Sequence, residues 1–119
     1  PAANPNAAQA AQAQALLAKE QQALDETAAE ERKAEEERER KNAAMLETYQ
    51  KEGMQAELDL LERLDNIEGE SWLKGDDVDA LIKSKTESVR ALLRKGRRAD
   101  DPEIALLLGE LEELNKEDE

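Results

Sequence analysis

Between Leu16 and Ile67 the chain has no proline and one glycine, Gly53, and its apolar residues recur at helical spacing with one long interruption. This pattern predicts one long helix, or two helices nearly end to end. Leu16, Leu17 and Leu24 form a thin apolar strip, with Leu17 and Leu24 one heptad apart and Ala23, Ala28 and Ala29 as filler. Such a strip suits a side-on contact and is too narrow to seed a core. Residues 30–41 then carry Ala34 as their one apolar residue. Glu36–Arg40 and Glu37–Lys41 are spaced for i,i+4 ion pairs, and Glu30–Lys33, Glu35–Arg38 and Glu37–Arg40 for i,i+3 pairs. Each pair supports a helix by about 0.2–0.5 kcal/mol, so this segment reads as a helix solvated on all sides, a charged spacer.

The apolar stripe returns at Leu46, Tyr49, Gly53, Ala56, Leu60, Leu64 and Ile67, and Met54, Leu58 and Leu61 widen it. That face is too broad for a two-stranded seam and suits packing against two further helices. Gly53 marks a kink or a close helix contact. Gly69 reads as the position after a helix end. Trp72 and Leu73 read as cover for one end of a small core, with an exposed Trp72 anchoring a partner as the alternative.

Residues 77–95 predict a helix capped by Asp76 or Asp77, with Val78, Leu81, Ile82, Val89, Leu92 and Leu93 on its apolar face and Gly96 as its stop. Asp101-Pro102-Glu103 carries the sharpest local signal: a capping Asp, Pro in the first helical position and an acid in the first turn. Ile104, Leu107, Leu108, Leu111 and Leu114 follow as the stripe of a last helix, interrupted by Gly109. The acidic end from Asn115 is expected to fray. Residues 1–15 are an uncharged Ala/Gln/Asn/Pro tail in which Asn6 could cap a helix that begins near Ala7. The fold class is therefore all-α: a long, partly exposed helix leads into a small C-terminal three-helix cap that contains a helical hairpin. The organisation is a tail at 1–15, an extended helix with its charged spacer at 16–41, and a small bundle at 42–119.

Composition limits how much this bundle can bury. Apolar residues make up 39% of the 119, but alanine supplies many of them, and the aromatics are Tyr49 and Trp72. Burial at roughly 25 cal/mol per Å² must then offset a backbone ordering cost of about 1–2 kcal/mol per residue, which points to a chain that leans on a partner. Thirty acids against 17 bases give a net charge of −13, which disfavours a phosphate backbone or an anionic membrane and suits solubility or a basic surface on another protein; the expected partners are proteins of a larger complex with basic or apolar grooves.

The sequence has no histidine and no cysteine. The commonest general base, the thiol nucleophile and the usual zinc ligands are therefore missing, and no catalytic residue, cofactor or metal is expected. Asp76 to Glu87 has the length of a calcium loop, but Val78, Ala80 and Leu81 fall where ligands and a glycine are required. The cations Arg94, Lys95, Arg97 and Arg98 gather at a helix end, where compensation of the helix dipole explains them better than an acidic partner does. No run of about 18 apolar residues is present to span a bilayer. The chain starts at Pro1 rather than Met, which leans towards a processed, mature protein of an organelle or the periplasm.

These features favour a non-catalytic structural or linker subunit of a larger assembly. The expected partner-binding residues are Leu16, Leu17, Leu24, Leu46, Tyr49, Met54 and Trp72. The alternative is an acidic regulatory module that occupies a basic site on a partner protein. A continuous homodimeric coiled coil is disfavoured, because residues 30–41 lack apolar seam positions.

Overall fold

The computed structural model describes residues 5–116, and among them every regular element is helical. The order is α1 (Pro5–Glu52), α2 (Gln55–Glu70), a 3-10 turn (Ser71–Lys74), α3 (Asp76–Arg94) and α4 (Pro102–Lys116). The chain divides into two compact units, one ending at Glu39 and the other beginning at Arg40. The long helix and the C-terminal cap with its α3–α4 hairpin are as the periodicity predicts. The acidic end at residues 117–119 lies outside the described residues, as do residues 1–4 of the tail.

α1 opens at Pro5, so Asn6 sits inside its first turn and does not cap a later start. Proline suits a first helical position, since its missing N–H had no intrahelical partner to lose. α1 ends at Glu52 because Gly53 takes φ +65°, and the Met54 N–H closes back onto the Tyr49 carbonyl at 2.9 Å. α3 stops in the same way at Gly96, with φ +94° and the Arg97 N–H on the Leu92 carbonyl at 3.1 Å. In both places the left-handed residue lets the chain satisfy carbonyls that the helix leaves open. A Cβ on Gly53 would meet nothing within 4 Å, so Gly53 is a turn and not a close helix contact.

Three local expectations need correction. Gly69 lies within α2, and the break comes later, through the 3-10 turn and Gly75. Neither Asp76 nor Asp77 caps α3 through its side chain; both lie in its first turn, where carboxylates favour the helix dipole. Trp72 and Leu73 do not cover the core: they are 69% and 61% exposed. The short 3-10 turn turns Ser71 inward instead, and its hydroxyl is shared between the Glu68 carbonyl and the Asp79 carboxylate.

The core belongs to the unit that begins at Arg40. Leu60, Leu64 and Ile67 of α2 pack with Ile82, Val89 and Leu93 of α3 and with Ile104 and Leu111 of α4. Met45 and Tyr49, on the last turns of α1, close one side. Burying each such side chain contributes about 1.5–3 kcal/mol. The inward stripe is Met45, Tyr49, Glu57, Leu60, Leu64, Ile67, so Met45 takes the place expected for Leu46, and Glu57 that of Ala56. Positions 45, 49, 53, 57, 60, 64 and 67 keep helical steps of 4 and 3, so the observed stripe differs from the expected one by a single position at two places. Polar ties join the helices around this core. Arg90 bridges Glu68 at 2.6 Å and Asp65 at 2.9 Å, and Arg63 meets Glu112 at 3.2 Å. At α4, the Asp101 carboxylate accepts the Glu103 N–H at 2.9 Å and the Ile104 N–H at 3.4 Å, which is the cap the sequence signals.

The glycines give a direct test. Gly69 and Gly109 are helical with open space where a Cβ would go. Gly69→Ala and Gly109→Ala are each expected to stabilise by about 0.5–1 kcal/mol in chemical denaturation. Gly96→Ala is expected to destabilise by about 1–2 kcal/mol, because its φ is costly for any residue with a Cβ.

Candidate interaction surfaces

The proposed contact residues fall into separate places. In the unit that ends at Glu39, no described side chain is buried, and Leu16, Leu17 and Leu24 are 61%, 63% and 64% exposed. They occupy one helix with no second element to cover them. Glutamine–acid bonds such as Gln21 to Asp25 at 2.9 Å, and the Arg38–Glu35 ion pair, run along the same helix.

In the other unit, Tyr49 and Met54 line a groove of about 690 Å³. Its apolar surface comes from Ala44, Met45, Tyr49, Met54, Ala91 and Leu93. Its rim carries Lys41, Arg94, Lys95, Arg97 and Arg98, opposed by Glu52. The ends of α1 and α3 both turn at a glycine beside it, and the negative ends of two helix dipoles favour cations there. Tyr49 is buried rather than presented; burial holds its hydroxyl pKa above the ordinary tyrosine value, Glu57 adds to this, and Arg98 opposes it. Leu46 stands outside the groove, half in solvent, and Trp72 lies on the 3-10 turn before α3.

The groove's cations are largely tied to the fold. Arg94 reaches Asn42 at 2.7 Å and Glu87 at 2.6 Å. Arg97 pairs with Asp101 at 2.9 Å, and Arg98 donates through Nε to Glu57 at 2.7 Å. Glu57 is the unusual member, since its carboxylate is buried while the Arg98 partner is mostly exposed. Hydrogen bonding to Glu57 and its charge hold the Arg98 pKa above the usual guanidinium value. Lys95 is exposed and makes no side-chain bond or ion pair among the described residues. Reading by composition misses Glu57 and Met45. The available signal is phase: counted back from Leu64 and Leu60 by alternating helical steps of 4 and 3, the inward position is 57, not 56.

Among the described residues no helix is long and apolar enough to cross a membrane. No protein-family model, curated protein or solved structure matches the chain.

Two outcomes follow from these pairs. Arg98→Ala leaves the Glu57 carboxylate buried without its partner, so it is expected to lower the melting temperature more than the double variant Arg98→Ala/Glu57→Gln does. Additive losses in thermal unfolding would show that the pair is not coupled. The Asp79 pKa is lowered by Ser71 and Lys83, and that of Asp101 by Arg97 and by the backbone N–H groups it caps. Each therefore stabilises the fold fully above the unfolded aspartate value of about 4, and that contribution disappears as pH falls through the depressed folded values. The melting-temperature gap between the wild type and Asp79→Asn/Asp101→Asn is expected to be constant near neutral pH and to close below about pH 4.

Proposed function

We propose that the chain is a non-catalytic structural or linker subunit, bridging or stabilising components of a larger protein assembly through its long helix and its helical cap. The observation that carries this reading is the contrast in burial. The unit from Arg40 has its own core, whereas the helix of the other unit buries none of its described side chains and leaves Leu16, Leu17 and Leu24 to solvent. A helix gains most of its stability in a protein from packing an apolar face, and propensity and ion pairs alone leave it marginal. An apolar groove on a partner protein supplies the missing face. The absence of histidine and cysteine from the sequence supports a binding role over catalysis.

Leu17→Glu/Leu24→Glu is expected to abolish co-purification of the partner from the native source without changing the melting temperature of the isolated chain. Retention of the wild-type complex between about 0.05 and 0.5 M salt is expected for apolar docking; a steep loss over that range favours the acidic regulatory module instead. Amide exchange provides the other arm. In the isolated chain, residues 6–39 should exchange much faster than Leu64, Val89 and Leu111. Equal protection without any partner overturns the proposal.

A further inference from the structure

The unit from Arg40 exposes two features of opposite character. One is the 3-10 turn before α3, where Trp72 and Leu73 are 69% and 61% exposed. A tryptophan presented to water in this way is a strong candidate for a contact anchor. Glu70, Asp76 and Asp77 flank it, all exposed, and none makes a side-chain hydrogen bond or ion pair among the described residues. The other feature is the groove at the far end of α3, with Met45, Tyr49 and Met54 on its apolar wall and Lys95 unpaired on a cationic rim. Its volume of about 690 Å³ lies within the 300–1,000 Å³ range of pockets that take a compact organic body.

We propose that the Trp72–Leu73 knob of one molecule docks in the Tyr49–Lys95 groove of a second copy. The chemistry of the two surfaces is complementary: an apolar tip flanked by three carboxylates and one lysine, Lys74, meets an apolar wall whose rim carries five cations and one carboxylate, Glu52. Within one molecule the contact is out of reach. α3 spans 19 residues between the two features, about 28 Å at 1.5 Å per residue. The contact is heterologous, so each molecule keeps a free knob at one end and a free groove at the other, and association continues head to tail. Two side chains cover much less than the roughly 1,000 Å² of a stable interface, so dissociation constants on the order of 10–1,000 µM are expected. The proposal uses only residues from Arg40 onward and is independent of what binds Leu17 and Leu24.

The test uses the full chain at about 0.15 M salt, where long-range repulsion between acidic molecules is screened. Sedimentation velocity of the wild type from about 10 µM to 1 mM is expected to show an average mass rising above the monomer. Trp72→Ala and Lys95→Glu should each weaken association at least about tenfold while circular dichroism stays unchanged. Mixing the two variants should restore a dimer that grows no further, since one supplies the intact groove and the other the intact knob. Trp72 is the only tryptophan, so titrating Trp72→Ala into Lys95→Glu should move the emission of the latter to shorter wavelength. A monomer throughout the range overturns the proposal. So does a mixture that fails to pair, or a loss on Trp72→Ala with none on Lys95→Glu, which indicates a symmetric knob-to-knob contact. Loss of association in Leu17→Glu/Leu24→Glu moves the contact to α1 and also overturns it.

Discussion

The fold from Arg40 onward depends on burying one stripe of α3. Ile82, Thr86, Val89 and Leu93 follow one another at helical spacing, and all four are buried. α2 covers this stripe from one side with Leu60, Leu64 and Ile67, and α4 covers it from another with Ile104 and Leu111. Thr86 is tolerated in that row because its hydroxyl donates back to the Lys83 carbonyl at 2.9 Å, so no donor is left bare. The ion pairs are arranged around this strip. Arg90 carries the clearest case: burial depresses its pKa, yet its bonds to Glu68 and Asp65 outweigh that effect and hold it above the usual value. The guanidinium thus stays charged at the α2–α3 seam, where one terminal nitrogen donates to Glu68 and the other to Asp65.

The helical architecture was legible because its signals are local and repeated. Alanine, glutamate and lysine favour helix over the first forty residues, and Asp101-Pro102 announces the start of α4 through a mechanism that needs only neighbouring atoms. Gly96 was legible for the same reason. What the sequence hid depends on phase and on distant residues. Met45 in place of Leu46 and Glu57 in place of Ala56 both keep helical steps of 3 and 4, so the choice rests on packing against distant residues. A buried carboxylate becomes intelligible only with Arg98, 41 positions away. Trp72 takes the exposed alternative rather than covering the core. A four-residue 3-10 turn has few inward positions, and the small Ser71 takes the buried one.

The surfaces are less legible than the core for a related physical reason. Composition reports net charge, whereas recognition depends on which charges remain after the fold has used the others. Arg94, Arg97 and Arg98 look like a basic patch in sequence, but Glu87, Asp101 and Glu57 each engage one of them. Ion pairs within the fold engage most of this cluster. Lys95, Glu70, Asp76 and Asp77 have no side-chain partner among the described residues.

Those residual charges also separate the two units in kind. Along the helix up to Glu39, nine acids outnumber four bases on one element, and the exposed leucines are its distinguishing chemistry. From Arg40 onward, Glu70, Asp76 and Asp77 lie at or just before the start of α3 and Lys95 at its end. A helix so polarised complements its own backbone dipole, with carboxylates at the positive end and an ammonium at the negative one. The same arrangement that stabilises α3 therefore gives its two ends opposite surface character. Stability and recognition are drawn from one distribution of charge, and an acidic chain can carry a cationic groove without contradiction.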